Sequence, residues 1–241
     1  MNLIVDVGNS LIKFAVFQSE NLEYKIISTF EEGSSTFKNI TENYSIENCL
    51  ISSVANMDEL LFQYIESKLN VLILNSRVNL PFKNLYQTPK TLGVDRMALV
   101  SAAVKQYLGK DVLVIDAGTC ITYDFVNHKS EYLGGAISPG IRLRYKSLNT
   151  FTANLPLLNT EMPTSIVGDT TARSIHSGVV NGIVKEIDGV IDEYQLEYEH
   201  LTVILTGGDA DFLSKQLKNS IFANSNFLLE GLNYILEFNS H

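Results

Sequence analysis

The chain has 241 residues, of which 45% are hydrophobic and 19% charged, a composition typical of a folded globular protein. Its formal net charge of −9 argues against a general role in binding nucleic acid or an anionic membrane surface, because both attract basic proteins. No apolar run reaches the roughly 20 residues that cross a bilayer, so we expect no membrane association and a cytoplasmic location.

The first predicted element belongs to a repeat. Residues 3–17 read LIVDVGNSLIKFAVF and residues 112–125 read VLVIDAGTCITYDF. Each begins with a buried strand, passes an aspartate (Asp6 or Asp116) and turns at a glycine (Gly8 or Gly118) into a returning strand. The repeat favours two domains, which we place at residues 1–108 and 109–241.

An aspartate at a strand end, followed by a glycine turn with small polar residues, suits phosphate chemistry. Glycine allows backbone N–H groups to approach phosphate oxygens, a hydroxyl adds a donor, and the carboxylate can hold a cation or its waters. Two ordinary β-hairpins with Asp and Gly at their tips would show the same pattern. The recurrence half a chain apart favours a pair of phosphate-binding turns.

Between the two turns, the pattern predicts strands at residues 24–30, 49–54 and 71–74 and helices at 34–44 and after Asn56, which we take as an N-cap. A polar connection, residues 75–92, leads to an Ala-rich helix headed by Asp95 and Arg96. The order of strands and helices predicts an α/β domain with a mixed sheet.

After the second turn we expect a glycine-rich strand at residues 132–138, mixed helical signals at 141–155 and a long helix at 170–194. Gly178 and Gly182 are costly inside that helix, so we expect a close neighbour, either another helix or a second subunit. A buried strand at residues 201–205 ends in the turn TGGD, followed by a helix through Leu217 and a closing strand or helix at 227–238.

The three turns DVGNS, DAGTC and TGGD resemble the nucleotide-binding signature of the acetate and sugar kinase, Hsp70 and actin superfamily. With GVDR at residues 93–96, GGAISPG at 134–140 and VGDTTARSIHSG at 167–178, the chain resembles the type III pantothenate kinases over nearly its whole length. The resemblance implies two similar actin-like (ribonuclease H-like) α/β domains with mixed five-stranded sheets and a nucleotide cleft between them.

The resemblance also implies an activity, ATP-dependent phosphorylation of pantothenate at the entry to coenzyme A synthesis, by a homodimer that needs Mg²⁺ and a monovalent cation, K⁺ or NH₄⁺. It assigns catalysis to Asp95 as the base and the monovalent cation to Asp116. The implied ATP-binding residues are Asp6, Val7, Gly8, Asn9, Ser10, Leu11, Ile12, Lys13 and Thr119. The implied pantothenate-binding residues are Tyr86, Gly93, Val94, Asp95, Arg96 and Thr171.

The residues themselves leave alternatives open. Asp95 suits the task of accepting a hydroxyl proton, but an aspartate before an apolar helix is also a good N-cap. Lys13 could contact a phosphate or be an ordinary exposed strand lysine. Asp124 and Asp209 fit turn or strand-end positions, with Asp209 the nearer to nucleotide, and Arg142 could face substrate or solvent.

Two positions depart from the family pattern. Ser10 replaces the usual Thr and keeps the hydroxyl, and Cys120 replaces a small Ala and adds an oxidisable thiol. Two other functions also remain open: a superfamily kinase for another small hydroxyl substrate, and a nucleotide-dependent regulatory or interaction protein. The pair Asp95 and Arg96 favours an enzyme, because a switch needs no acceptor base.

Overall fold

The computed structural model describes residues 1–8, 11–53 and 57–240. Its contacts divide the chain into two compact units, and the predicted domain boundary after residue 108 stays a prediction. The first unit comprises residues 1–108, 130–132 and 226–241, and the second comprises residues 109–129 and 133–225.

The strands are β1 (Asn2–Val7), β2 (Ile12–Gln18), β3 (Asn21–Ser28), β4 (Asn48–Ile51), β5 (Asn70–Ile73), β6 (Lys83–Asn84), β7 (Val112–Ala117), β8 (Cys120–Val126), β9 (Glu131–Pro139), β10 (Thr202–Thr206) and β11 (Phe222–Ala223). The helices are α1 (Gly33–Asn43), α2 (Glu59–Glu66), α3 (Val94–Gln106), α4 (Ile141–Thr150), α5 (Thr171–His176), α6 (Gly182–Glu197), α7 (Ala210–Ser214) and α8 (Phe227–Phe238). As expected, the fold is α/β.

The sheet of the first unit has the order β3-β2-β1-β4-β5. β2 runs antiparallel to β1, whereas β4 runs parallel to β1 and β5 parallel to β4. Successive β1 residues enter different cores: Leu3 and Val5 pack with α1 and α2, and Ile4 packs with α3 and α8. Both faces of β1 are therefore covered, which explains its continuous apolar run.

The second unit repeats this strand order as β9-β8-β7-β10-β11. β8 is antiparallel to β7, and β10 is parallel to it. Its core joins Leu113 and Ile115 of β7 to Ile183, Ile187 and Ile191 of α6. The short β6 adds a sixth strand by pairing with Glu131 and Tyr132, which belong to the same unit as β6.

The predicted long helix is present, with an irregularity that the periodicity did not indicate. Thr170 caps α5 by accepting a hydrogen bond from the Arg173 N–H at 3.2 Å, and a π-helical turn over Ser177–Asn181 joins α5 to α6. A Cβ built on Gly178 or Gly182 meets nothing within 4 Å in the described chain. The described part of this chain therefore supplies no close neighbour at these glycines.

Two expected helix limits are wrong. Helix α2 begins after Asp58, whose carboxylate accepts from the N–H groups of Leu60 and Leu61; Asn56, predicted as the cap, lies outside the described residues. Helix α7 ends at Ser214 instead of reaching Leu217.

Among the described residues, no helix combines the length and the apolar character that a membrane span requires.

Candidate active site

The first predicted phosphate turn follows β1. Asp6 lies opposite Lys13 in the antiparallel pair of β1 and β2, and the Lys13 ammonium donates to Asp6 Oδ2 at 3.2 Å. Ser52 donates to Asp6 Oδ1 at 2.9 Å and accepts from the Val7 N–H at 3.1 Å. The carboxylate is thus held by a cation from β2 and by the hydroxyl of the residue that follows β4, and the Lys13 side chain remains partly exposed at 43%.

The turn itself is only partly described. The Gly8 N–H donates to the Leu11 carbonyl at 3.0 Å, and a Cβ on Gly8 would lie 3.2 Å from that oxygen. Leu11 is exposed and Ile12 is buried in the core. The predicted phosphate-binding residues Asn9 and Ser10 lie outside the described residues.

Asp95 lies in the first turn of α3, but it is not the N-cap. Gly93 occupies the cap position, where no side chain caps the helix, and Val94 begins the helix. The Asp95 Oδ1 atom accepts from the Arg96 N–H at 2.8 Å, and the side chain is exposed. A Cβ on Gly93 would lie 2.3 Å from Oδ1, so this carboxylate position requires a glycine at residue 93.

Arg96 is buried, with 5% of its surface exposed. Its guanidinium carbon lies 5.5 Å from the Tyr86 ring centroid and 5.9 Å from that of Tyr132. The two rings stack with centroids 6.0 Å apart, and Phe82 meets Tyr132 edge-on at 5.9 Å. The structure therefore unites the predicted residues Tyr86 and Arg96 through cation–π contacts.

Tyr132 and Phe82 are absent from the sequence prediction. Tyr132 reaches Arg96 because Glu131 and Tyr132 at the start of β9 pair with β6, a pairing that local periodicity does not indicate. The sequence signal was limited to the aromatic residues Phe82 and Tyr86 within the otherwise polar connection. Thr171, the other predicted substrate residue, is exposed at the first position of α5 and belongs to the second unit.

The second predicted turn follows β7. Asp116 lies opposite Thr122 in β8 and opposite Thr206 in β10. Gly207 has φ +95°, and a Cβ there would lie 2.3 Å from Asp116 Oδ1 and 2.4 Å from the Ala117 carbonyl oxygen. Residue 207 must therefore be glycine for two reasons: its backbone conformation and the close approach of these oxygens.

The Gly118 N–H donates to the Cys120 carbonyl at 2.9 Å, repeating the backbone bond of the first turn. Thr119 and Cys120 are exposed. The Thr119 carbonyl accepts from the Gly140 N–H at 3.0 Å. The predicted Thr119 hydroxyl is thus accessible in a turn that a second backbone segment supports.

The surroundings of Asp209, Arg142 and Asp124 settle where these three side chains lie in the fold. Asp209 is 7% exposed, its Oδ1 pairs with the exposed Arg142 at 2.9 Å, and its Oδ2 is buried with no hydrogen-bond partner in the described structure. Burial raises the pKa of Asp209, and the Arg142 guanidinium offsets part of that rise. Asp124 is fully buried within β8, so the expected turn or strand-end position is wrong for it.

Comparison with known proteins identifies the family. Residues 2–193 match the family model described as type III pantothenate kinase. Proteins named type III pantothenate kinase share 52% identity over 240 residues in Christiangramia forsetii, 50% over 239 in Flavobacterium johnsoniae and 42% over 241 in Bacteroides fragilis. Each alignment covers at least 99% of this chain and 98% of the relative.

Solved structures agree on the fold. A Campylobacter jejuni protein named for the Baf family of transcriptional activators has a TM-score of 0.62 at 23% identity, with 98% of both chains covered. A glucokinase from an Antarctic psychrotroph has a TM-score of 0.54 at 12% identity, again with 98% of both chains covered. The fold is the actin-like α/β fold of sugar kinases, and the chain belongs to the type III pantothenate kinase family.

Proposed function

We propose that the chain transfers the γ-phosphoryl group of ATP to the terminal hydroxyl of pantothenate, forming 4′-phosphopantothenate in the first step of coenzyme A synthesis. The observation that carries this proposal is the full-length similarity at 52% identity to a protein named type III pantothenate kinase. The exposed Asp95 carboxylate beside the buried Arg96 supports it, since these groups suit a hydroxyl acceptor that also carries a carboxylate.

We assign the phosphates of ATP to the first turn. Phosphoryl transfer depends mainly on positioning and on neutralising charge at the phosphate oxygens. The Lys13 ammonium lies at the turn and is accessible, so it can contact a phosphate without moving far from Asp6. Asp6 can hold the Mg²⁺ that accompanies ATP, directly or through its waters, because Mg²⁺ prefers carboxylate and phosphate oxygens.

We assign the proton transfer to Asp95. As the pantothenate hydroxyl oxygen forms its bond to the γ-phosphorus, the Asp95 carboxylate accepts the hydroxyl proton, and the bond from the γ-phosphorus to the β,γ-bridging oxygen breaks to release ADP. The Arg96 N–H holds Oδ1 at 2.8 Å and so orients the carboxylate. Arg96 can then pair with the carboxylate of pantothenate while Tyr86 and Tyr132 hold its guanidinium.

The corner around Asp116 fits a monovalent cation. Both the Asp116 Oδ1 atom and the Ala117 carbonyl oxygen face Gly207, at 2.3 and 2.4 Å from the position a Cβ would take there. Thr122 lies opposite Asp116, and its hydroxyl is buried without a hydrogen-bond partner in the described structure. We assign Thr119 as a further contact to ATP. We infer that Asp116 and Thr122 would hold K⁺ or NH₄⁺, whose positive charge would help neutralise the phosphates of the nucleotide.

We also infer a cytoplasmic homodimer. A Cβ on Gly178 or Gly182 would meet nothing within 4 Å in the described chain, and Phe151, Ile166 and Val167 are between 71% and 85% exposed. A second copy that covered these residues would explain both the glycines and the apolar exposure. Gly178→Leu should then shift the sedimentation profile toward the monomer, and an unchanged profile would count against this interface.

The experiment that tests the proposed function is ADP release from ATP with pantothenate as acceptor, in potassium and in sodium buffer. We expect turnover that needs both pantothenate and potassium, and that falls by about 10²- to 10⁴-fold in Asp95→Asn. Asparagine keeps the shape of the side chain, so the Tm of the protein should change little. Glu59→Gln serves as the control, because Glu59 is an exposed acid in the first turn of α2.

Two outcomes contradict the proposal. If Asp95→Asn retains full turnover, Asp95 is not the base. If the wild type binds ATP but does not phosphorylate pantothenate, the acceptor is a different hydroxyl compound or the chain is a nucleotide-dependent regulator, and a screen of small hydroxyl compounds separates these two possibilities.

A further inference from the structure

A polar cluster in the second unit contacts the backbone segment that packs against the glycine turn after β7. It consists of Tyr123 on β8, Ser138 at the end of β9, Arg144 on α4 and Glu186 on α6. None of these residues has a role in the mechanism above. The cluster connects strand β8 and helices α4 and α6 to one short backbone segment, residues 138–140.

That segment lies directly against the predicted phosphate turn. The Gly140 N–H donates to the Thr119 carbonyl at 3.0 Å. A Cβ on Gly140 would lie 2.1 Å from the Gly118 carbonyl oxygen and 2.6 Å from that of Thr119. The backbone at Gly140 therefore supports Gly118 and Thr119 by direct contact.

Arg144 holds the segment in place. Its Nε donates to the Pro139 carbonyl at 2.9 Å, and its Nη2 donates to Ser138 Oγ at 3.0 Å. Its own backbone N–H donates to the Gly140 carbonyl at 3.1 Å. One side chain and its backbone thus bind three successive residues of the segment.

Glu186 fixes Arg144. Its Oε2 pairs with Arg144 Nη2 at 2.5 Å, and its Oε1 accepts from the Tyr123 hydroxyl at 3.0 Å. Both charged side chains are largely buried, with 21% of Arg144 and 29% of Glu186 exposed. Burial alone would raise the pKa of Glu186, but the hydrogen bonds from Arg144, Ser138 and Tyr123 outweigh it, so the carboxylate stays charged.

We propose that Glu186 is a positioning residue for nucleotide phosphate binding: through Arg144 it holds residues 138–140 against Gly118 and Thr119, and so keeps that turn in the conformation that receives ATP. This inference rests on the proposed function for its assignment of ATP to Thr119. Glu186 itself touches neither substrate. Its effect should therefore appear in nucleotide affinity and not in the affinity for the acceptor.

The test compares Glu186→Gln with Glu193→Gln, an exposed glutamate on the same helix. We expect Glu186→Gln to raise KM for ATP about tenfold, because a charge-assisted pair becomes a neutral contact. KM for pantothenate should change less than twofold, and Glu193→Gln should leave both constants unchanged. A change in thermal stability alone, or an equal rise in both KM values, would show a merely structural role and overturn the proposal.

ADP binding, measured by calorimetry, separates this inference from the proposed function because it needs no acceptor. Weaker ADP binding in Glu186→Gln supports the positioning role even if pantothenate is not the acceptor, and unchanged binding contradicts it. If Glu186→Gln does not fold, Tyr123→Phe removes one hydrogen bond from the same carboxylate and should weaken ADP binding about threefold. Unchanged ADP affinity in that variant would also overturn the proposal.

Discussion

The two carboxylate and glycine turns share a strand, an aspartate and a glycine, but they differ in the residue opposite the aspartate. Lys13 lies opposite Asp6 and pairs with it at 3.2 Å. Thr122, an uncharged residue, lies opposite Asp116. The first carboxylate therefore has a cationic strand partner, whereas the residue opposite the second is uncharged.

The difference is one of residue identity, because Lys13 and Thr122 occupy equivalent positions in the two strand pairs although the turns differ in length. Residues 8–11 separate the paired residues Val7 and Ile12, whereas residues 118–120 separate Ala117 and Ile121. The second turn is one residue shorter, so the two repeats lose their alignment after the glycine. In the function proposed above, one duplicated motif therefore supplies a lysine for the phosphates in one copy and a carboxylate for the cation in the other.

The largest expected effect comes from removing each carboxylate in turn. Asp6→Asn should lower kcat/KM for MgATP by about 100-fold, the loss of a charged ligand contact, while stimulation by potassium persists. Asp116→Asn should abolish stimulation by potassium. Steady-state kinetics across a potassium series measure both, with the exposed Asp211→Asn as control. If Asp6→Asn and Asp116→Asn depend on potassium in the same way, the two turns do not differ in cation binding.

The next effect concerns the glycine that faces the second carboxylate. Gly207→Ala combines a positive φ with a clash against Asp116 and Ala117, which should cost about 1–3 kcal/mol and lower Tm by roughly 3–10 °C. Gly208→Ala is the matched control, because a Cβ there meets nothing within 4 Å and its φ is not positive. Equal Tm values for the two variants would show that the second turn tolerates displacement.

A smaller effect should follow loss of the lysine in the first turn. Lys13→Met keeps much of the side-chain volume but removes the charge, and we expect KM for ATP to rise about 3- to 10-fold with a modest change in kcat. Lys38→Met, at an exposed lysine of α1, controls for loss of net charge. If both variants behave like the wild type, Lys13 is an ordinary strand lysine.

The smallest effect is a pH dependence of thermal stability that comes from Glu186 on α6. The pKa of Glu186 lies below its ordinary value of 4.5 in the folded state, so the unfolded chain binds its proton more readily. The stability that Glu186 contributes is therefore complete above about pH 4.5 and is lost as pH falls through the lowered pKa. Melting curves should show a Tm gap of about 3 °C between wild type and Glu186→Gln at pH 7, narrowing below pH 4.5. A Tm difference that stays constant with pH would show that the charge of Glu186 does not contribute to stability.

Much of the fold follows from local patterns. The apolar runs before Asp6 and Asp116 predict buried strands, and the i, i+3, i+4 spacing predicts the long helix that contains Ile183 and Ile187. The family resemblance implies two similar domains, and the strand orders β3-β2-β1-β4-β5 and β9-β8-β7-β10-β11 match. These features depend on neighbours in sequence, where periodicity and turn residues act directly.

Other features depend on contacts between distant segments. The sequence did not indicate the cap at Asp58, the π-helical turn, or the pairing of β6 with β9 that carries Tyr132 to Arg96. It also did not indicate the link from Glu186 to the turn at Thr119. Within that link, the hydrogen bond between Tyr123 and Glu186 already joins residues that are 63 positions apart in the sequence.

By itself, the sequence determined the α/β class, the duplicated turns and the family. The tertiary structure decided which side chain faces each carboxylate and which segment supports each turn. The physical reason is range: propensity and hydrophobic period act over a few residues, whereas the register of paired strands and the packing of buried charges are set by the whole sheet.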